Sequence, residues 1–367
     1  MTEQELSAYI QAIRPADEAA MEAARRRQAQ LAKPPGSLGQ LEEISIRLAG
    51  VTGQVCPAMG KCRVAVFAAD NGVVAEGVSC TPPAVTMQQA VNMTFRKTGM
   101  SAMAAAFGDD VSVVDVGIDG DVPPVGVLDR KVRRGTGDIA REDAMTRQQV
   151  LDAMAAGMEQ AARARADGVT ALGIGEMGIG NTTTSAAVLA ALTGADIEAV
   201  TGRGGGLTDE GFLRKKEVLR QALALHRPDG NDVIGVLAGV GGLDLAAMTG
   251  AFLGCAHERV PAAVDGFISI VAALCAVRLC PAVRDVLFLS HDSYEVGYRI
   301  AAEALGLQPC LRLGMRLGEG SGCPLLFRVL EGACGVMRGM ATFDEASIED
   351  SYLDEIRAVD AFTVEAT

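Results

Sequence analysis

Several features that would announce a metal, secreted or nucleic-acid-binding protein are missing from this 367-residue chain. Its three histidines, His226, His257 and His291, show no H-x-x-x-H spacing, which argues against a zinc site. Its nine cysteines include no C-x-x-C pair. Most sit in apolar runs such as "VAALCAVRLC" (271–280), so buried reduced thiols are expected rather than bridges or metal ligands. No apolar run reaches membrane-spanning length, and the first thirty residues are too polar for a signal peptide; the cytoplasm is the compartment predicted. Basic residues number 33 against 46 acidic ones and form no long cluster, so a nucleic-acid backbone is repelled over most of the surface. There is no internal repeat and no low-complexity linker.

What is present is a chain with 49% hydrophobic residues, enough for a sizeable core. Residues 2–31 carry helical spacing, "KPPGSLG" breaks the chain, and "QLEEISIRLAG" resumes it. From Arg63 short β-rich runs alternate with Ala-rich amphipathic stretches. The predicted strands are 63–70, 111–117, 169–175, 260–266, 285–291 and 309–314. This alternation predicts an α/β fold: a doubly wound, mostly parallel, Rossmann-like sheet covered on both faces. The expected division is an N-terminal helical part (1–60), an α/β catalytic domain (61–322) and a C-terminal helical part (323–367) that packs with the N-terminal one. Ligands of such sheets bind beyond the carboxyl ends of the strands. There the sequence places Asp70, Asn71, Gly175, Glu176, Asp265 and Ser290 to Ser293.

"GIGEMGIGNTTTSAAVLAAL" (173–192) contains G-x-G-x-x-G at Gly173, Gly175 and Gly178, with Asp196 and Glu198 about 20 residues on, as in a dinucleotide fingerprint. Against a pyrophosphate stands Glu176, a carboxylate inside that turn. The second half of the motif reads better as a cradle for one phosphate. Asn181 or one of Thr182–Thr184 is suited to cap the next helix, and Gly178 and Gly180 let backbone N–H groups face an anion. In "TGRGGGLTDEGFLRKKE" (201–217), Thr208 is the expected helix cap. One of Arg214, Lys215 and Lys216 is a candidate phosphate partner, although a solvated face explains all three equally well. Glu319, in "LGMRLGEGSG" (313–322), stands among glycines that admit a ligand close to the backbone; a surface turn explains it too.

Eight segments occur in the order seen in one family: "KPPGSLGQLE", "AADNGVVAEGVS", "TPPAVTMQQAVN", "GIGEMGIGNTTTSAA", "TGRGGGL", "VDGFIS", "SHDSYEVGYR" and "LGMRLGEGSG". From about Lys33 to Gly322 the chain resembles the nicotinate-nucleotide:dimethylbenzimidazole phosphoribosyltransferases. The resemblance implies a homodimer, with neither metal nor cofactor, that works in assembly of the lower ligand of cobalamin. It implies that the phosphoribosyl group of nicotinate mononucleotide passes to a benzimidazole. It also implies the roles: Glu319 as general base, Glu176 as a carboxylate at the reacting ribose, and Lys215 as a substrate-binding lysine. Gly178, with Ile179, Gly180, Asn181 and Thr182, matches the phosphate cradle. Thr81, Gln89 and Met177 match positions lining the base pocket, Ser293 a nucleotide contact, and Gly202, Leu317 and Gly318 further substrate contacts. Three positions depart from the family pattern: Asn71 and Tyr298 replace His, and Asp292 replaces Arg, removing a positive charge near an anionic substrate. Two other classes fit parts of the pattern: an NAD-dependent oxidoreductase, from the glycine spacing alone, and a non-catalytic nucleotide-binding sensor.

Overall fold

The structure, a computed structural model, describes residues 1–121 and 126–355. The last part of the expected C-terminal unit, 356–367, lies outside the described residues. The strands are β1 (Cys62–Ala69), β2 (Asp110–Gly117), β3 (Val127–Asp129), β4 (Ala171–Met177), β5 (Ala262–Val264) and β6 (Leu287–Leu289). The helices are α1 (Glu3–Gln11), α2 (Glu18–Gln30), α3 (Gln40–Thr52), α4 (Val85–Thr94), α5 (Gly99–Phe107), α6 (Arg147–Ala166) and α7 (Asn181–Thr193). They continue as α8 (Ile197–Val200), α9 (Asp209–His226), α10 (Val233–Val240), α11 (Leu243–Glu258), α12 (Phe267–Leu279), α13 (Gly297–Leu305), α14 (Cys323–Gly339) and α15 (Phe343–Ala346).

The strands form one sheet in the order β3-β2-β1-β4-β5-β6, every pairing parallel. A parallel strand covered on both faces needs an unbroken apolar run, and β1 ("CRVAVFAA") and β4 ("ALGIGEM") supply one. In β4 this includes a buried acid, Glu176, paired in register with Phe67. The chain order reverses between β1 and β4, and at such a switch point the following loops diverge and leave a crevice. On one face α11 packs against α6 and against β1, β2 and β4. Every residue of α11 from Leu243 to Ala256 is buried, which accounts for its apolar character all round.

The sequence expectations differ from the structure in three places. Residues 2–31 form two helices, because Pro15 interrupts the run and Thr2 and Asp17 each cap a separate helix. The segment 309–314 forms no strand, only an isolated bridge from Leu311 to His291. Pro309 supplies no N–H, and β6 is itself three residues long. The edge strand β3 went unseen because three residues carry no periodicity.

Near the chain ends, Arg27 donates to the carbonyls of Met337 and Met340, Leu31 bridges Thr342, and Ala20, Ala24, Leu31, Ile46, Ala49 and Met337 form a small separate cluster. α14 also sends Cys323, Leu326, Phe327 and Leu330 into the main core. Phe252, at the centre of α11, is fully buried. Phe252→Ala should therefore lower unfolding free energy by about 3–5 kcal/mol in a denaturant titration; a loss within about 0.5 kcal/mol, typical of surface positions, would contradict the central place given to α11.

Candidate active site

The loops after β1, β4, β5 and β6 enclose a cleft of about 250 Å³. One wall carries Thr81 and Gln89. The turn from β4 into α7 supplies Met177, Gly178, Ile179, Gly180, Asn181 and Thr182. Ser293 lies across from it, and Leu317, Gly318 and Glu319 close the floor together with Glu176. Of the site residues implied by the resemblance, Gly202 and Lys215 are not in the lining, and of those placed at strand ends Asp70, Asn71, Gly175, Ser290 and Asp292 are not. Lys215 is fully buried behind it, its Nζ donating to Thr182 Oγ1 (2.9 Å) and to the carbonyl of Gly202 (3.1 Å). Its neighbours Arg214 and Lys216 are taken up by surface carboxylates, Glu210 and Glu198. Burial pushes the Lys215 ammonium down to about 8, and the nearby Glu295 opposes the shift.

The glycine motif is not a dinucleotide turn, since Gly173 and Gly175 lie inside β4. A Cβ on Gly175 would stand 2.5 Å from the backbone nitrogen of Gly320, so this glycine lets the Glu319 loop rest directly on the strand. Neither Asn181 nor a threonine caps α7: the cap is Gly180, in the left-handed region at φ +93°, and no side chain bonds to it. Asn181 is instead the first helical residue. The start of α7 therefore has no side-chain cap, and the Lys215 ammonium lies just behind it. Thr208, by contrast, caps α9 as expected, accepting the N–H of Gly211.

The floor is acidic. Asn181 Nδ2 donates both to Glu176 and to Asp244 Oδ2 (3.0 Å), drawing two carboxyl groups onto one amide. Burial, with Asp244 adjacent, pushes Glu176 up to about 8, and burial pushes Asp244 up to about 6. Asp265 accepts the N–H groups of Gly320 (3.1 Å) and Gly322 (2.6 Å), while Glu176 Oε1 accepts that of Glu319 (3.4 Å). Glu319 sits between these clamps with φ +63°, a left-handed backbone held by its surroundings. Burial raises its pKa; the Met100 N–H and the Thr98 hydroxyl oppose that rise, and Asp265 adds to it. His291 backs Asp265, with Nδ1 3.9 Å from its Oδ1.

Cations stand at the mouth. Arg203 and Arg316 both line the cleft, and the Arg316 guanidinium lies over Tyr294, 5.4 Å from the ring centroid. Met177 lines the cleft, as the resemblance implied, whereas Met87 and Met315 do not. None of the three positions that depart from the family pattern lines it either. Asn71 braces the β4–α7 turn, donating to the carbonyl of Ile179 (3.5 Å). Asp292 pairs with Arg299 outside, and Tyr298 is packed in the core of α13. Sequence reasoning missed Asp244 and Arg203. The first hides at a helix start inside an apolar stretch; the second stood in plain view within "TGRGGG".

A switch-point cleft with a helix start free of any side-chain cap, cations at its mouth and carboxyl groups on its floor suits a small phosphorylated ligand that carries positive charge elsewhere. That class agrees with the comparisons. A family profile described as "Phosphoribosyltransferase" matches residues 13–348. A nicotinate-nucleotide–dimethylbenzimidazole phosphoribosyltransferase of Clostridium perfringens is 46% identical over 341 residues, which are 93% of this chain and 94% of the relative. The enzyme of that name from Geobacter metallireducens is 45% identical over 347 residues, 94% of this chain and 98% of the relative. A crystal structure of CobT from Thermus thermophilus superposes with a TM-score of 0.88 at 44% identity, covering 91% of this chain and all of that one. The chain belongs to the nicotinate-nucleotide–dimethylbenzimidazole phosphoribosyltransferase family. No helix among the described residues is long and apolar enough to cross a membrane.

The acidic floor has a consequence for stability. Glu176 stays protonated in the folded chain up to about pH 8, whereas in the unfolded chain it ionises near its ordinary value of 4.5. Between those values the unfolded state binds fewer protons, so the group's contribution to stability is lost as pH rises. Glu176→Gln should therefore match the wild type near pH 5 and exceed it near pH 8, by about 1 kcal/mol or more, in paired thermal melts. Equal stability at both pH values would show that Glu176 is not desolvated.

Proposed function

We propose that the cleft transfers the phosphoribosyl group of nicotinate mononucleotide to 5,6-dimethylbenzimidazole, giving α-ribazole 5′-phosphate and nicotinate. One observation carries the reading: the cleft is divided by charge as this donor is. The phosphate fits the uncapped start of α7, where Gly178, Ile179, Gly180, Asn181 and Thr182 turn and Lys215 stands behind Thr182. The quaternised ring and its sugar fit the acidic floor of Glu176, Asp265 and Glu319, with Asp244 behind it on the Asn181 amide. A dinucleotide oxidoreductase finds no such support, because its fingerprint glycines are spent inside β4.

The chemistry follows from the donor. Its ring nitrogen already bears a positive charge, so the bond to C1′ breaks with the electron pair returning to the ring, and no acid is needed. The unprotonated nitrogen of the benzimidazole forms the new bond from the opposite face, which inverts β to α. Its other nitrogen then loses a proton to Glu319, a general base. Positive charge developing on the ribose is stabilised by Glu176, which the arriving cation draws into its ionised form. Thr81, Gln89 and Met177 face the flat acceptor; Ser293, Leu317 and Gly318 complete the nucleotide contacts, and Gly202 acts through Lys215.

The protein works as a homodimer in the cytoplasm, in assembly of the cobalamin lower ligand. Support comes from the apolar residues left exposed near the cleft mouth, Tyr294, Val296, Leu313 and Leu317, and from nine unpaired cysteines. The smaller helical part is built from 1–60 and the chain from 323 on, supported by the contacts of Arg27 and Leu31 with 337–342.

The direct test is release of nicotinate on mixing the protein with both substrates, with the anomeric configuration of the product determined. Absence of release, with binding intact, would favour a sensor. Glu319→Gln should lower kcat by about 10²–10⁴-fold while nucleotide still binds; wild-type turnover would remove Glu319 from its role. Lys215→Met should raise the KM for nicotinate mononucleotide by about 10–100-fold and affect kcat less. An unchanged KM would contradict the phosphate placement.

A further inference from the structure

Glu319 has an unusual neighbour for a base in a desolvated pocket. Its Oε2 accepts the N–H of Met100 at 3.2 Å. Met100 is the second residue of α5, in the first turn, where backbone N–H groups have no partner within the helix and the macrodipole favours an anion. Thr98 is the N-cap, its side chain taking the N–H of Ser101. Gly99, between them, has no side chain to intervene: a Cβ there would lie 4.0 Å from Glu319 Oε2 and 2.6 Å from Leu317 Cδ2.

We infer that the N-terminus of α5, through the Met100 N–H that the Thr98 cap holds in place, is the positioning element of the general base: it aims the Glu319 carboxylate. The inference rests on the reading of Glu319 as the base. The remaining groups that face Glu319 oppose ionisation or stand apart from it. Glu176 at the end of β4 and Asp265 after β5 are acidic; His291 stands behind Asp265, and Cys323, at the start of α14, is held neutral by burial. Arg316 is on the same loop, turned over Tyr294. α5 itself has no ionisable residue, so its influence is that of fixed dipoles.

Three substitutions at Thr98 test the role of this helix start. Serine keeps the cap. Valine removes it, and with it the hold on the Met100 N–H. Aspartate caps a helix as well as threonine does, but presents a like charge to Glu319. Thr98→Ser should keep the wild-type pH profile of kcat. Thr98→Asp should move the acid limb of that profile upward by about one pH unit, hence about tenfold lower kcat on that limb, with a smaller change in the KM for nicotinate mononucleotide. Thr98→Val should shift the limb in the same direction. A Thr98→Asp enzyme with an unshifted limb and wild-type kcat would overturn the inference, and this variant decides the matter even if Thr98→Val fails to fold. Glu319→Gln is assayed alongside. If it is inactive while the Thr98→Asp profile is unchanged, this inference alone fails; if it turns over normally, the assignment of the base fails first.

Discussion

The organisation of this cleft depends on carboxyl groups held in a poorly solvated place by donors that the backbone supplies. Asp265 holds two N–H groups of the 318–322 loop, Glu176 holds a third, and Glu319 receives one from α5. Each contact satisfies an acid and fixes a segment, so the loop that carries Glu319 is fastened from both sides. Burial makes ionisation of these acids unfavourable until positive charge arrives. A cationic ligand then meets carboxyl groups already held in position, so their ionisation needs little movement of the chain.

The fold brings these groups together at modest cost in special geometry. Because the order of the parallel sheet reverses between β1 and β4, the acid at the end of β4 stands at the crevice between the diverging loops. Gly175 then allows the 318–322 loop to lie against β4, joining residues 143 apart in sequence, Glu176 and Glu319. The cations occupy a different zone, with Lys215 behind the α7 start and Arg203 and Arg316 at the rim. That separation of sign explains how an acidic protein accommodates a phosphate.

Much of the architecture was legible because it rests on local pattern. The near-continuous apolar runs of β1 and β4 and the polar residues at their ends mark a parallel sheet and its ligand-binding edge. Local signals failed where a tertiary partner decided the outcome. Asn181 has the composition of a helix cap, yet its amide is claimed by Glu176 and Asp244 and the cap falls to Gly180. The glycines at 173 and 175 match a fingerprint letter for letter, yet are needed for close packing within and against a strand. Among Arg214, Lys215 and Lys216 helical spacing does not single out the buried cation; in the structure it is Lys215, whose ammonium donates to Thr182. The partner of Glu319 lies 219 residues away in α5, beyond the reach of any spacing argument.

The central claim is that the positive ring of the donor ionises Glu176, which burial keeps protonated while the cleft is empty. Calorimetry of nicotinate mononucleotide binding near pH 7, in buffers of different ionisation enthalpy, counts the protons exchanged, and ribose 5-phosphate serves as the reference for the phosphate alone. The expected result is a larger proton release with the nucleotide than with the sugar phosphate, and loss of that excess in Glu176→Gln. Equal proton counts for the two ligands in the wild-type protein would contradict it.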